Sequence, residues 1–190
     1  RDIRGILLPT VKESLSLKEL KDIIEMKHDE NGKCVEDTVM FPIQKYFRLA
    51  LKSNPSVIEW LFVPNNDCLL HMDQAGKIIR DNRLMFLSKE IYHRFKGFAY
   101  QEFTELTKLT AKTGAKRKEQ ILKFGYSPKN AMNCIRLLQQ GTELLNTANL
   151  TMPRPNWQEL IYIKKGNLRY EDIVKLFDVE IENLKKAYAT

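Results

Sequence analysis

The rhythm of apolar and polar positions changes once along this chain, close to Pro42. Before it, short apolar runs are broken by turn-forming residues. Ile3 to Leu8 is stopped by Pro9, and Thr38 to Phe41 follows the turn-rich Asp29-Glu30-Asn31-Gly32. Runs of this length, bounded by Pro, Gly and Asn, predict strands. Between them, Ser16-Leu17-Lys18-Glu19-Leu20 predicts a short amphipathic helix to about Glu25, with Ser16 as its cap and Glu19 reaching back to the cap amide.

From Pro42 the spacing becomes helical almost throughout. Ile43, Phe47, Ala50 and Leu51 recur at i, i+4, i+7 and i+8, which predicts one buried stripe. Asn54-Pro55 reads as a cap followed by proline at the first helical position, opening a helix through Val57, Ile58, Leu61 and Phe62. Further helices are predicted over residues 73–87, 88–110, 127–147, 155–164 and 170–187, with Ser88 and Ser127 as their clearest caps. The stretch from Lys112 to Lys123 is predicted to be a mobile loop. These elements imply an α+β fold: a small mixed sheet with flanking helices over residues 1–66, followed by a mainly helical domain over 67–190. No Gly/Ser-rich linker separates the two, so they are expected to pack as one unit.

Composition narrows the class. A chain of 190 residues with 43% hydrophobic and 29% charged residues can bury a sizeable core and is not of disordered composition. Its 31 Lys and Arg against 24 Asp and Glu give a net charge of +7, which favours polyanionic partners. Cys34, Cys68 and Cys134 are odd in number and far apart, so neither a disulfide framework nor a zinc site is encoded. No apolar run approaches the roughly 20 residues needed to span a bilayer, and Arg1-Asp2-Ile3-Arg4 does not resemble a signal peptide, so no membrane association and a cytoplasmic location are expected. The chain begins without methionine, and a preceding segment is expected to hold part of the site.

Several arrangements for catalysis are missing. There is no glycine-rich loop ending in Lys-Ser/Thr and no helix with paired histidines, and Gly125-Tyr126-Ser127 continues into Pro128-Lys129 instead of closing a Gly-x-Ser-x-Gly. His28, His71 and His93 have no metal-ligand spacing to each other. The start of the chain offers a different chemistry. Side chains two residues apart on a strand share a face, so Asp2 can be the second of two aspartates holding a Mg2+ ion, the first lying before Arg1. Asp37, on one face with Val39 and Phe41, is the natural third carboxylate, and Glu36 replaces it if the register slips by one. Three clustered carboxylates suit two Mg2+ ions, which orient a nucleoside triphosphate (NTP), activate an attacking hydroxyl and neutralise the leaving pyrophosphate.

Basic residues supply the second half of such a site. Lys129 and Arg136 are seven residues apart and so share one helix face. They either hold phosphates, Arg136 through a bidentate fork, or are a solvated lysine and an arginine paired with a structural carboxylate. Six basic residues between Lys108 and Lys123 (Lys108, Lys112, Lys116, Arg117, Lys118 and Lys123) face the single acid Glu119. This region either binds a nucleic-acid acceptor, with Phe124 and Tyr126 near enough to stack on bases, or is a solvated basic loop. Glu59 falls among apolar neighbours, where an unpaired carboxylate costs several kcal/mol, so it is expected to meet a basic partner or helix-end amides.

An ordered series of segments gives these residues a context: Asp2-Ile3-Arg4-Gly5-Ile6; Ile43 to Leu49 with Asn54-Pro55 and Glu59-Trp60-Leu61-Phe62; Phe95-Lys96-Gly97-Phe98-Ala99 with Gln101; Lys129-Asn130-Ala131 with Arg136-Leu137-Leu138; and Leu160 to Gly166. In that order they resemble the motifs of a polymerase β-like nucleotidyltransferase family of bacteria and phages. The first is similar to the end of its Ser-Asp-x-Asp-hydrophobic-Arg-Gly motif, and the fourth to its Lys-His-Ala...Arg-Leu-Leu helix. The chain departs from the pattern at Asn130 and Asn133, where the family has histidines, and lacks the upstream Gly-Ser motif that grips the triphosphate. The resemblance implies Mg2+-dependent transfer of a nucleotidyl group from an NTP to a hydroxyl acceptor. Asp2 and Asp37 would bind metal and act in catalysis, and Arg4, Lys129 and Arg136 would hold the nucleotide. The alternative is a non-catalytic nucleic-acid-binding or regulatory protein on the same scaffold.

Overall fold

The computed structural model describes residues 41–64, 72, 74–111 and 113–190. In chain order these form α1 (Ile43–Leu51), α2 (Pro55–Leu61), α3 (Gln74–Asp81), a 3-10 turn (Arg83–Phe86), α4 (Glu90–Thr104), α5 (Ala115–Phe124), α6 (Pro128–Thr147), α7 (Trp157–Lys164) and α8 (Tyr170–Ala189). Helix α6 lies at the centre, and α4, α7 and α8 all pack on it. Its buried positions include Ala131, Cys134, Ile135, Leu138, Gly141 and Leu144, too broad a set for a surface helix with a single apolar stripe. The close approach of α4 and α8 to α6 depends on Gly141. A Cβ there would stand 2.9 Å from the Cβ of Phe95 and 3.0 Å from Cδ1 of Leu184.

Every regular element among the described residues is a helix, which overturns the expected α+β architecture there: the expected mixed sheet has no counterpart. Of the predicted strand from Thr38, only Phe41 is described, and it is irregular lead-in to α1. Its ring packs on Trp60 with centroids 5.3 Å apart, and the Lys45 ammonium lies 4.8 Å from its centroid. An apolar residue here thus anchors the start of a helix, a role that alternation over four residues cannot separate from a strand. The remaining expected strand, Ile3 to Leu8, and the helix from Ser16 lie outside the described residues.

Other expectations shift in detail. In α1 the buried residues are Tyr46 and Ala50, Phe47 is half-buried, and Ile43 and Leu51 are 37% and 63% exposed. The buried stripe is therefore narrower than predicted and rotated toward Tyr46. Helix α2 opens as predicted, with the Asn54 side chain accepting from the Ser56 amide at 3.1 Å. The expected 112–123 loop is instead α5. Its Ala-Lys-Arg-Lys-Glu-Gln-Ile-Leu-Lys run consists of good helix formers, Ile121 anchors it in the core, and Gly125 ends it in the left-handed region at φ 78°. The predicted 88–110 helix stops at Thr104, because the Leu106 carbonyl turns to accept from the Ser127 amide at 2.7 Å.

Candidate functional site

The first turns of α5 and α6 line one side of a cleft of about 660 Å³, which Lys164 at the end of α7 also lines. Neither helix start is closed by a side-chain cap or carries an acidic residue in its first turn. Both therefore present first-turn amides and the positive end of a helix dipole with no acidic residue of their own, and Glu102 of α4 is the one carboxylate among the residues lining the cleft, an arrangement in which basic groups outnumber it. Gly114 precedes α5 in extended conformation, and Pro128 takes the first position of α6, where its missing N–H costs nothing.

Ser127 does not cap α6 in the predicted way. Its hydroxyl donates to Oδ1 of Asn130 at 2.6 Å, and Nδ2 of Asn130 donates to Glu102 on α4 at 2.8 Å. An amide suits this relay because it accepts on one side and donates on the other, whichever ring nitrogen a histidine would have protonated. The relay fixes the α6 start against α4 and leaves its backbone amides unclaimed. Asn133, one turn further, also lines the cleft.

The charges around the cleft are of two kinds. Arg117 is already engaged: it donates to the Glu105 carbonyl and, at 3.1 Å, to the Glu105 carboxylate, which Lys108 also meets at 2.8 Å. The hydrogen bonds from Lys108 and then Arg117 hold the Glu105 carboxyl below its ordinary range. Arg117 thus clamps α5 to the end of α4. By contrast, Lys116, Lys129 and Lys164 are exposed, line the cleft and form no ion pair among the described residues. Three free ammonium groups beside two open helix starts can hold a multiply charged phosphate ligand.

The predicted site residues are thereby sorted. Lys129 lies in the cleft. Arg136, two turns on, instead donates to Glu59 and, at 3.1 Å, to Oε1 of Gln140. This contact supplies the basic partner expected for Glu59 and ties α2 to α6. Asp2, Arg4 and Asp37 lie outside the described residues. Of the two rings expected to stack on bases, Tyr126 is fully buried, with its hydroxyl donating to the Leu168 carbonyl at 2.7 Å, so it cannot meet a base. Phe124 is half-buried against Gly166. Sequence reasoning missed Lys164 in the cleft, and it gave Lys116 to a loop when it belongs to the first turn of α5. Only the packing of α7 beside α5 and α6 reveals the first.

Burial drives the Cys134 thiol up to about 12, aided by the neighbouring Glu102 carboxylate, so it is not a nucleophile. Among the described residues no group of His, Cys, Asp or Glu side chains could hold a metal ion. Nor is any helix among them long and apolar enough to cross a membrane.

Comparison with known proteins finds no match among curated proteins or solved structures. The sequence does match the family described as RNA repair pathway DNA polymerase beta family, over residues 1–186. That span takes in the N-terminal segment, the α5–α6 cleft and nearly all of α8, so the chain belongs to the RNA repair pathway DNA polymerase beta family.

Proposed function

We propose that the protein transfers a nucleotidyl group from a nucleoside triphosphate to a hydroxyl acceptor, with release of pyrophosphate. Membership of a polymerase β-like family supports the reaction class. The observation that carries the phosphate-binding part is the cleft in which Lys116, Lys129 and Lys164 stand unpaired beside two uncapped helix starts. In this reading Lys129 and Lys164 hold the triphosphate chain, and the first-turn amides of α5 and α6 orient its oxygens. That restraint keeps the α-phosphorus in place as the acceptor oxygen attacks, so much of the chain's contribution is positioning. Arg136 acts on the cleft only indirectly, by fixing α6 through Glu59. Arg4 is a further candidate nucleotide ligand.

Asp2 and Asp37 are the candidate metal ligands, and Mg2+ held there would supply charge neutralisation at the reacting phosphates. Their carboxylates fit a hard cation that prefers oxygen ligands. The acceptor fits an RNA hydroxyl, given the family and the net charge of +7. The test is transfer of radiolabel from each α-labelled NTP to RNA by the full-length protein with Mg2+. Wild type should label the RNA, Asp37→Asn should abolish labelling with its melting temperature nearly unchanged, and Lys129→Ala should raise KM for the NTP more than it lowers kcat. Full labelling by Asp37→Asn would remove that residue from the site. Salt-sensitive RNA binding without any turnover in wild type would favour a non-catalytic binding protein instead.

A further inference from the structure

A second cluster of cations, apart from the α5–α6 cleft, makes no direct ion pair among the described residues, although the Asp81 carboxylate next to Arg80 acts on it through space. Arg80, near the end of α3, donates through Nη2 to the Val63 carbonyl just beyond α2. Arg83, opening the 3-10 turn, donates through Nη1 to the Arg80 carbonyl at 3.1 Å and lies over the Phe62 ring, 5.3 Å from its centroid. These contacts fix both guanidinium groups in place. They do not satisfy them: Nη1 of Arg80 and Nε of Arg83 are buried and have no hydrogen-bond partner among the described residues. Neither arginine forms an ion pair among the described residues. The two line a cleft of about 310 Å³ with Phe62, Val63, Pro64 and Asn149, and among the described residues no carboxylate lines it.

This arrangement is costly without a ligand. Each orphaned donor loses its water without gaining an acceptor, and two like charges are held side by side. Burial, and then the nearby Arg83 charge, lower the Arg80 pKa, which is the direction expected where two cations share one desolvated place. Retaining such a pair on a packed surface is understandable if an anion completes it. A planar fork of N–H donors matches the oxygens of a phosphate group better than an ammonium would, and the ring beneath Arg83 keeps that fork from swinging into solvent.

We propose that Arg80 and Arg83 form a separate phosphate-binding site, taking a phosphate group of an RNA strand on the α2–α3 side of the molecule. The strand is favoured over a free nucleotide because the cleft is small and open, and because a bound polynucleotide can present phosphates at two places at once. The site is independent of transfer activity, so it stands or falls separately from the reaction proposed above.

Two substitutions test it in the full-length protein. Arg83→Gln keeps a polar side chain but removes the fork and one charge. Asn149→Asp places a carboxylate in the cleft and so supplies the missing anion from the chain itself. Affinity for a fluorescein-labelled single-stranded RNA is read by anisotropy, and melting temperature is followed with and without inorganic phosphate. Arg83→Gln should bind RNA about fivefold to tenfold more weakly, with the salt slope reduced by about 0.7, one strand phosphate's share. Asn149→Asp should melt above wild type in phosphate-free buffer and bind RNA about tenfold more weakly. A phosphate-induced rise in Tm that both variants lose shows recognition of the phosphate group from either source. A loss confined to RNA binding assigns the site to strand phosphates, and both results support it. Wild-type RNA affinity in both variants, with Asn149→Asp melting no higher than wild type, would overturn the proposal.

Discussion

At the scale of single residues, partnership decides which charges are structural. Arg136 and Glu59 are 25% and 18% exposed at their side chains and meet across α6 and α2. Removing one leaves the other desolvated, so Arg136→Ala should destabilise the fold by about 1–3 kcal/mol, measurable as a lower urea midpoint at unchanged m-value. Glu143 is a second such case. Burial would raise its pKa, but hydrogen bonds from Thr151 and Arg154 outweigh that and hold it low. Thr151 donates through its amide at 2.8 Å and its hydroxyl at 2.6 Å, tying the end of α6 to the connection before α7. A lowered folded-state value means the unfolded chain takes up the proton first as pH falls. This contribution is complete above the ordinary glutamate value of about 4.3 and is lost as pH drops through the lowered one. Glu143→Gln should therefore lower Tm at pH 7 and flatten its decline below pH of about 4, as a pH series of thermal melts would read. The pairing of Glu59 was legible in the sequence because a lone carboxylate among apolar neighbours needs a partner. The competition for Arg136 between phosphate and carboxylate could not be decided without knowing that α2 lies within its reach.

At the scale of elements, the cleft depends on how α5 and α7 meet. Gly166, at φ 77° just beyond α7, lets the Phe124 ring at the end of α5 pack directly on its backbone, and a Cβ there would lie 2.6 Å from the ring. This contact sets α7 beside α5, so that Lys164 and Lys116 border one space. Gly166→Ala combines an unfavourable left-handed backbone with a displaced aromatic ring. It should lower stability by about 1–3 kcal/mol and weaken triphosphate binding severalfold, as calorimetry and a nucleotide titration would show. An unchanged affinity would mean that Lys164 does not contribute. Helix order was largely legible from Pro42 onward because apolar spacing acts locally, and the Asn54-Pro55 cap formed as predicted, whereas Ser127 turned to Asn130 and the helix after Ser88 starts from Lys89. Helix α5 was not legible, since its charged residues conceal good helix propensity and Ile121 is its one buried residue. Phe41, the one described residue of the predicted Thr38–Phe41 strand, shows the converse ambiguity: an aromatic that packs on Trp60 ahead of a helix has the same sequence pattern as a strand end.

For the whole molecule, the described helices bring Lys116, Lys129 and Lys164 to one cleft, and the candidate carboxylates Asp2 and Asp37 belong to the N-terminal segment. A net charge of +7 suggested polyanions, but net charge cannot say where they bind. Under the proposed function the place is the cleft where two helix starts and three unpaired lysines converge, whereas Arg117 in the same cleft, with Lys108, is already engaged on Glu105. Lys129 was legible from its place at the opening of α6; Lys164, distant in sequence, needed the packing. The most direct test is equilibrium titration of a fluorescent triphosphate against the wild type and a Lys129→Ala, Lys164→Ala double variant, with melting temperatures as the control for folding. Loss of two charge-assisted contacts should weaken binding at least about tenfold while Tm stays within a few degrees. Equal affinity in the two proteins would contradict the assignment of this cleft to nucleotide phosphates.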